Sequence, residues 1–236
     1  MLSFKLNFLQ AWQLHKTIIF DLDGTLAHTA PDLIATLNRV TASVGLEPVS
    51  MEAIGQLVGQ GSKAMLKRAF ALQKRDLHDN QLEELFPIFL ADYTENIANE
   101  SYLYPGVEKA LDLLSEDGFE FCVCTNKPEG PARLLLNALG ISQRFLSVTG
   151  GDTFEFKKPD PRHLHETLGL ADRKNSQAIM IGDSINDIAA ANAGGIKSVA
   201  VSFGYSDLPI PQLGATHIID HFDELPPIAQ TLAANR

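Results

Sequence analysis

Asp21 and Asp23 stand one residue apart in Phe20-Asp21-Leu22-Asp23-Gly24-Thr25. They follow the apolar run Thr17-Ile18-Ile19-Phe20, which predicts a buried strand ending in a glycine turn. Two neighbouring carboxylates at a strand end concentrate negative charge that a folded chain ordinarily avoids. A divalent cation bound there would invert that local charge logic. An Asx-type turn closing a loop also fits these residues taken alone.

The same design recurs in Ile179-Met180-Ile181-Gly182-Asp183-Ser184-Ile185-Asn186-Asp187. Asp183 sits where a strand ends, and Asp187, four residues on, falls one helical turn later on the same face. Oxygen donors of this kind suit Mg²⁺, which keeps several waters and takes few protein carboxylates beside a substrate phosphate. Zinc is not expected, because no His/Cys cluster has suitable spacing; His163 and His165 read as surface helix residues. Thr125-Asn126-Lys127-Pro128 offers a hydroxyl and backbone N–H groups at a helix start, suited to a phosphate oxygen. A plain Thr/Asn helix cap fits that segment equally well. In Phe156-Lys157-Lys158-Pro159-Asp160-Pro161 the prolines fix the chain around Lys158 and aim its ammonium inward, leaving Lys157 to face solvent.

These groups need a scaffold that brings strand ends together. Apolar β-type runs recur at 17–20, 119–124, 145–149, 178–182 and 197–202, with a weaker one at 217–219. Helical patterns over 107–115, 131–139 and 185–193 lie between the later runs. Strands without a polar face, alternating with helices, predict an α/β fold whose parallel sheet is covered on both sides. Ligands of such sheets gather at the carboxyl ends of the strands. The stretch 31–104 offers no convincing strand. Helices are expected there from Pro31 to Gly45 and over 51–58, 62–74 and 79–99, as a lid over the first strand's end.

Bulk properties exclude several classes. The 236 residues, 45% hydrophobic and 20% charged, suit one large domain or a domain with a smaller insertion. A net charge of −10 argues against nucleic acid and anionic membranes as partners. No run reaches membrane-span length. The first fifteen residues, with Leu2, Phe4, Leu6, Phe8, Leu9 and Trp12 interrupted by polar residues and no small-x-small cleavage site, read as a short extension rather than a signal peptide. Cys122 and Cys124 point to one face of a strand and read as reduced thiols of a cytoplasmic protein.

DLDGT, TNKP, KKPDP and GDSINDIAAANAG, in this order and spacing, resemble the haloacid dehalogenase-like phosphohydrolases from Thr17 to Tyr205. The resemblance implies a Rossmann-like parallel sheet core, residues 1–30 and 105–236, with an inserted all-helical cap over 31–104. It also implies Mg²⁺-dependent hydrolysis of a small phosphorylated metabolite by a monomer or homodimer. Asp21 is the implied nucleophile, forming an aspartyl-phosphate, and Asp23 the acid/base that dehalogenases lack. For Asp23 to deliver a proton, nearby negative charge has to keep it protonated. Asp21, the Asp23 carbonyl and Asp183 are the implied metal ligands, with Asp187 orienting them or binding through water. Thr125 and Asn126 would hold phosphate oxygens, and Lys158 would balance charge and orient Asp21.

Thr29-Ala30-Pro31-Asp32-Leu33, Val58-Gly59-Gln60-Gly61, Tyr104-Pro105-Gly106-Val107, Leu139-Gly140-Ile141 and Gly150-Gly151-Asp152 look like bacterial phosphoglycolate phosphatases. His28 departs from that group, where an acidic residue is common. Within the cap, Gly61, Ser62 and Lys63 would bind substrate, with Ser62 capping a helix whose N-terminus faces a carboxylate such as that of 2-phosphoglycolate. A glycine-ended helix followed by a Ser-capped one fits those residues too. Phosphatases for sugar, muramic acid-type or nucleotide phosphates share most of these signatures, as do sugar phosphomutases on the same scaffold. A non-catalytic binding protein is disfavoured by intact Asp21, Asp23, Thr125, Lys158, Asp183 and Asp187.

Overall fold

The apolar runs become strands largely buried on both faces of the sheet, except the weaker run at 217–219, where only Ile219 is buried. The computed structural model describes residues 15–59, 61–174, 176–206 and 208–234, so the N-terminal reading of residues 1–14 and Gln60 fall outside the described residues. Its strands are β1 (Lys16–Phe20), β2 (Ala27–His28), β3 (Tyr102–Leu103), β4 (Phe119–Cys124), β5 (Phe145–Thr149), β6 (Gln177–Gly182), β7 (Lys197–Val201) and β8 (His217–Ile219). Six of them form one parallel sheet in the order β5-β4-β1-β6-β7-β8. The chain adds strands outward on one side of β1 and then, from β6, on the other. The order therefore reverses between β1 and β6, and a crevice opens there at the strands' carboxyl ends.

The described helices are α1 (Ala30–Ala42), α2 (Ile54–Leu57), α3 (Ser62–Leu72), α4 (Asp79–Glu95), α5 (Val107–Glu116), α6 (Glu129–Ala138), α7 (Arg162–Leu170), α8 (Ile185–Ala193) and α9 (Leu225–Ala234). Alternation along β1 sets the layers. Ile18 and Phe20 pack with α5, α6 and α9, while Ile19 packs with α7 and α8 on the opposite face. On α5, Val107, Ala110, Leu111 and Leu114 recur at helical spacing and are all buried, each Val or Leu side chain contributing about 1.5 to 3 kcal/mol. Cys122 and Cys124 are buried free thiols.

Helices α1 to α4 form the cap around a core of their own, with Leu37, Leu57, Leu66, Phe70 and Phe89 at its centre. Two expectations for this stretch need correction. Tyr102–Leu103 is a strand after all, pairing antiparallel with Ala27–His28 at the neck of the cap. Two residues are too few for an alternation to register. The segment 51–58 is a 3₁₀ turn (Met51–Ala53) followed by the single turn of α2 rather than one helix. The two neck crossings are stitched by Asp32, whose carboxylate accepts from the Glu100 and Ser101 N–H groups at 3.1 and 2.9 Å and from the Ser101 hydroxyl at 2.6 Å. No helix among the described residues is long and apolar enough to cross a membrane.

Candidate active site

Asp21 follows β1 and Asp183 follows β6, so adjacent parallel strands deliver both carboxylates to the same edge. Asp187 arrives one turn into α8. Its carboxylate closes the helix start by accepting from the Ser184 N–H at 3.0 Å and the Ser184 hydroxyl at 2.6 Å. All three are buried, and ligand oxygens of Asp21, Asp183 and Asp187 lie within 4.8 Å of one another.

Lys158 enters from the loop after β5. Its ammonium donates to Asp21 Oδ1 at 2.9 Å, Asp187 Oδ1 at 2.6 Å and the Cys124 carbonyl at 2.6 Å. Lys157 faces outward, as the sequence predicts. Asp183 is held by the Tyr205 N–H at 2.6 Å and the Thr25 hydroxyl at 3.2 Å. Gly204 backs it so closely that a Cβ there would lie 2.2 Å from the Asp183 Cβ. Thr125 is buried, and its hydroxyl oxygen accepts from the Lys127 N–H at 3.2 Å. Asn126 donates to the Lys158 carbonyl at 3.0 Å and the Gly59 carbonyl at 3.3 Å, tying the loop after β4 to the cap.

Burial first, with Asp187 adding to it against the opposing pull of Lys158, pushes the Asp21 pKa up to about 6. Burial, and then the charges of Asp187 and Asp21, hold Asp183 well above the usual carboxylate range. Asp21, Asp23, Asp183 and Asp187 face the ammonium groups of Lys127 and Lys158, an excess of two negative charges in a buried place. An oxygen-only donor set with that excess fits a divalent cation such as Mg²⁺ and does not fit zinc.

A family model described as haloacid dehalogenase-like hydrolase matches residues 18–201. The chain belongs to that family. A phosphoglycolate phosphatase of Agrobacterium fabrum is 45% identical over 209 residues, covering 89% of this chain and 90% of that protein. One of Rhodospirillum rubrum is 40% identical over 214 residues, 89% of each. Among solved structures, a predicted phosphoglycolate phosphatase from Haemophilus somnus superposes with a TM-score of 0.84 at 32% identity, covering 92% of this chain and 98% of that one. The protein is thus an enzyme, a phosphatase of the haloacid dehalogenase-like family.

Some residues read from the sequence stand elsewhere. Lys63 is not among the residues lining the pocket, and its ammonium pairs with Glu83 at 2.7 Å. Ser62 is the first residue of α3 rather than its cap; Gly61 holds the cap position, and both line the pocket. His163 is buried rather than a surface residue, and its Nδ1 accepts from the Lys158 N–H at 3.3 Å. Burial, then the Lys158 charge, pushes its pKa down to about 3, so it stays neutral. The Asp23 carboxylate accepts from Lys127 at 2.9 and 3.1 Å, a contact the sequence reading does not include. Lys127, Tyr93 and Tyr205 carry no role in the sequence reading. His28 sits among Tyr102, Tyr104 and Tyr205, with the Tyr205 hydroxyl 3.0 Å from its Nδ1.

Replacing Lys158 by methionine leaves Asp21 and Asp187 buried without a counter-ion. The expected result in metal-free protein is a loss of about 3 to 5 kcal/mol of stability by urea denaturation. Turnover should fall about 100-fold or more. An unchanged denaturation midpoint speaks against this ion-pair assignment.

Proposed function

We propose that the protein is a Mg²⁺-dependent, cytoplasmic phosphatase that hydrolyses 2-phosphoglycolate to glycolate and phosphate through an aspartyl-phosphate on Asp21. The observation that carries the reading is the placement of Asp21 beside Lys158, Asp183 and Asp187, with Asp23 across the same small pocket. The names of relatives at 40 to 45% identity support the choice of substrate.

An Asp21 oxygen attacks phosphorus, the ester P–O bond breaks, and Asp23 gives its proton to the departing alkoxide. Asp23 then takes a proton from water, whose oxygen attacks phosphorus and frees Asp21. The Thr125 hydroxyl and the Asn126 backbone N–H hold phosphoryl oxygens, and Lys158 orients Asp21. Asp21, the Asp23 carbonyl and Asp183 would hold Mg²⁺, with Asp187 in support; the ion would supply charge neutralisation between Asp21 and the phosphoryl group.

Residues 31–104 act as the cap, over a core built from the described residues before 31 and after 104. The space beneath the cap is small, about 30 Å³, which supports a cap whose helices part to admit substrate. Gly61 and Ser62, at the start of α3, face the leaving group beside apolar Leu33, Val58 and Met65. That lining supports a short leaving group over a sugar or nucleoside. The test is phosphate release with Mg²⁺ from a panel of phosphorylated metabolites. 2-Phosphoglycolate should give the highest kcat/KM, and a clear preference for a sugar or nucleotide phosphate overturns the substrate assignment.

A further inference from the structure

The cap comes down on the core at Gly55, Gly59 and Gly61, each set against a different core loop. A Cβ at Gly55, on α2, would lie 3.1 Å from the Ser206 carbonyl oxygen, beyond β7. One at Gly61 would lie 3.0 Å from the Asn126 carbonyl oxygen, beyond β4. Gly59, at a φ of +98°, lies against Ser184, beyond β6. Without side chains at these points, the cap's backbone sits flush on the strand ends.

Gly59 also turns its carbonyl to the core. The oxygen accepts from the Asn186 side-chain amide at 3.0 Å and from that of Asn126 at 3.3 Å. The two donors belong to the loops that deliver Asp183 and Thr125, so both sides of the catalytic crevice hold one cap oxygen. Asn126 has a second task, because its amide also donates to the Lys158 carbonyl at 3.0 Å. Asn186 lies in the first turn of α8, and among the described residues Gly59 is the hydrogen-bond partner of its side chain. It does not line the pocket.

Gly61, Ser62 and Asn126 line both the catalytic pocket and a cleft of about 340 Å³ outside it, which Lys63, Phe86 and Leu90 also line. The contact of Gly61 with the Asn126 carbonyl therefore separates the two spaces. Lifting the cap there joins them and gives a phosphorylated metabolite a way in.

We propose that Asn186 is a positioning residue whose amide seats the cap on the catalytic centre, its bond to Gly59 setting how often the pocket opens. This deepens the reading of residues 31–104 as a cap and rests on it. On opening, the amide and the carbonyl exchange each other for water. The net loss is small enough to be met in every turnover and large enough to shift the population of open molecules. With the bond made, Gly61 and Ser62 stand over the leaving group and bulk water is kept from Asp21. Lys127, bonded to the Tyr93 hydroxyl at 2.8 Å, ties α4 to the core independently of Asn186.

The test is thiol trapping in metal-free protein. Met65 lines the pocket from the cap, Leu66 is buried in the cap's own core, and Cys122 and Cys124 are buried in the sheet. A disulfide reagent reaches the thiol of Met65→Cys when the cap lifts, and that of Leu66→Cys when the cap unfolds. It reaches the native thiols when the sheet unfolds. Where reclosing outpaces the reagent, each rate is proportional to the population of the open state concerned. Adding Asn186→Ala should raise the Met65→Cys rate about fivefold and leave the other rates unchanged. Asn186→Asp, which keeps the shape but sets a carboxylate against the Gly59 carbonyl, should raise it at least as much. If Met65→Cys fails to fold, Leu33→Cys, at the same pocket, carries the comparison. An unaltered pocket-thiol rate in either Asn186 variant overturns the inference and leaves the cap reading standing. An equal rise at all the thiols also overturns it, since that is general loss of stability. A pocket thiol that reacts no faster than Leu66→Cys with Asn186 intact means that the cap does not lift, and the cap reading itself fails.

Discussion

Asp21→Asn is expected to lower kcat on 2-phosphoglycolate by about 10⁴-fold or more, because a carboxamide oxygen cannot form the acyl phosphate and no neighbouring group can take its place. Lys158 donates to Asp187, and Asp187 is fastened to Ser184, so neither is free to attack. Asp183 is fixed between Thr25 and Tyr205 with Gly204 pressed against it. The substitution should not unfold the protein. A carboxylate whose pKa is raised to about 6 opposes folding when ionised, and removing its charge at pH 7.5 recovers up to about 3 kcal/mol in metal-free protein. The measurement is therefore a pair: single-turnover phosphate release, and a thermal melt in EDTA. Lost turnover with a melting temperature at or above wild type is the expected outcome. Residual turnover within tenfold of wild type rules Asp21 out as nucleophile.

The sheet was legible because buried parallel strands are continuous apolar runs, and all six runs picked out in the sequence became its strands. The ends of two of those runs then located Asp21 and Asp183 without further help, since a sheet of this kind presents its strand ends at one edge. Lys158 was legible from its flanking prolines. Lys63 follows Ser62 in the chain, but its ammonium is engaged by Glu83, a partner 20 residues away that no local pattern reveals. Lys127 stayed silent for the same reason. Its neighbours in sequence suggest a helix cap, and its partners, Asp23 and Tyr93, lie 104 and 34 residues away. His163 was read as exposed because nothing local shows that the Lys158 loop folds over α7. Tyr205 and Gly204 bear no charge pattern at all; their part in fixing Asp183 exists only once β7 is beside β6.

Stripping divalent cations should reduce turnover by about 10³-fold or more, with recovery on adding Mg²⁺. The accompanying change in stability should depend on pH in a direction fixed by Asp21 and Asp183. Both have raised pKa values in the metal-free fold, Asp21 at about 6 against 3.8 and Asp183 well above 3.8. Between the unfolded and folded values the folded state binds more protons, so the contribution of these groups to metal-free stability falls as pH rises through that window. Mg²⁺ takes the place of those protons, so its binding must release them wherever they are held. The rise in melting temperature on adding Mg²⁺ should accordingly be large at pH 7.5 and shrink as pH falls through about 6 towards 5. His163 pulls the other way over the same range, its pKa lowered to about 3 by burial and then by the Lys158 charge, so total stability against pH would mix the two. The Mg²⁺-induced shift removes that confusion, because His163 is neutral in the fold with or without the ion and its contribution cancels. Equal shifts at pH 5.5 and 7.5 would mean that the ion displaces no protons. The buried carboxylates after β1 and β6 would then not be its ligands.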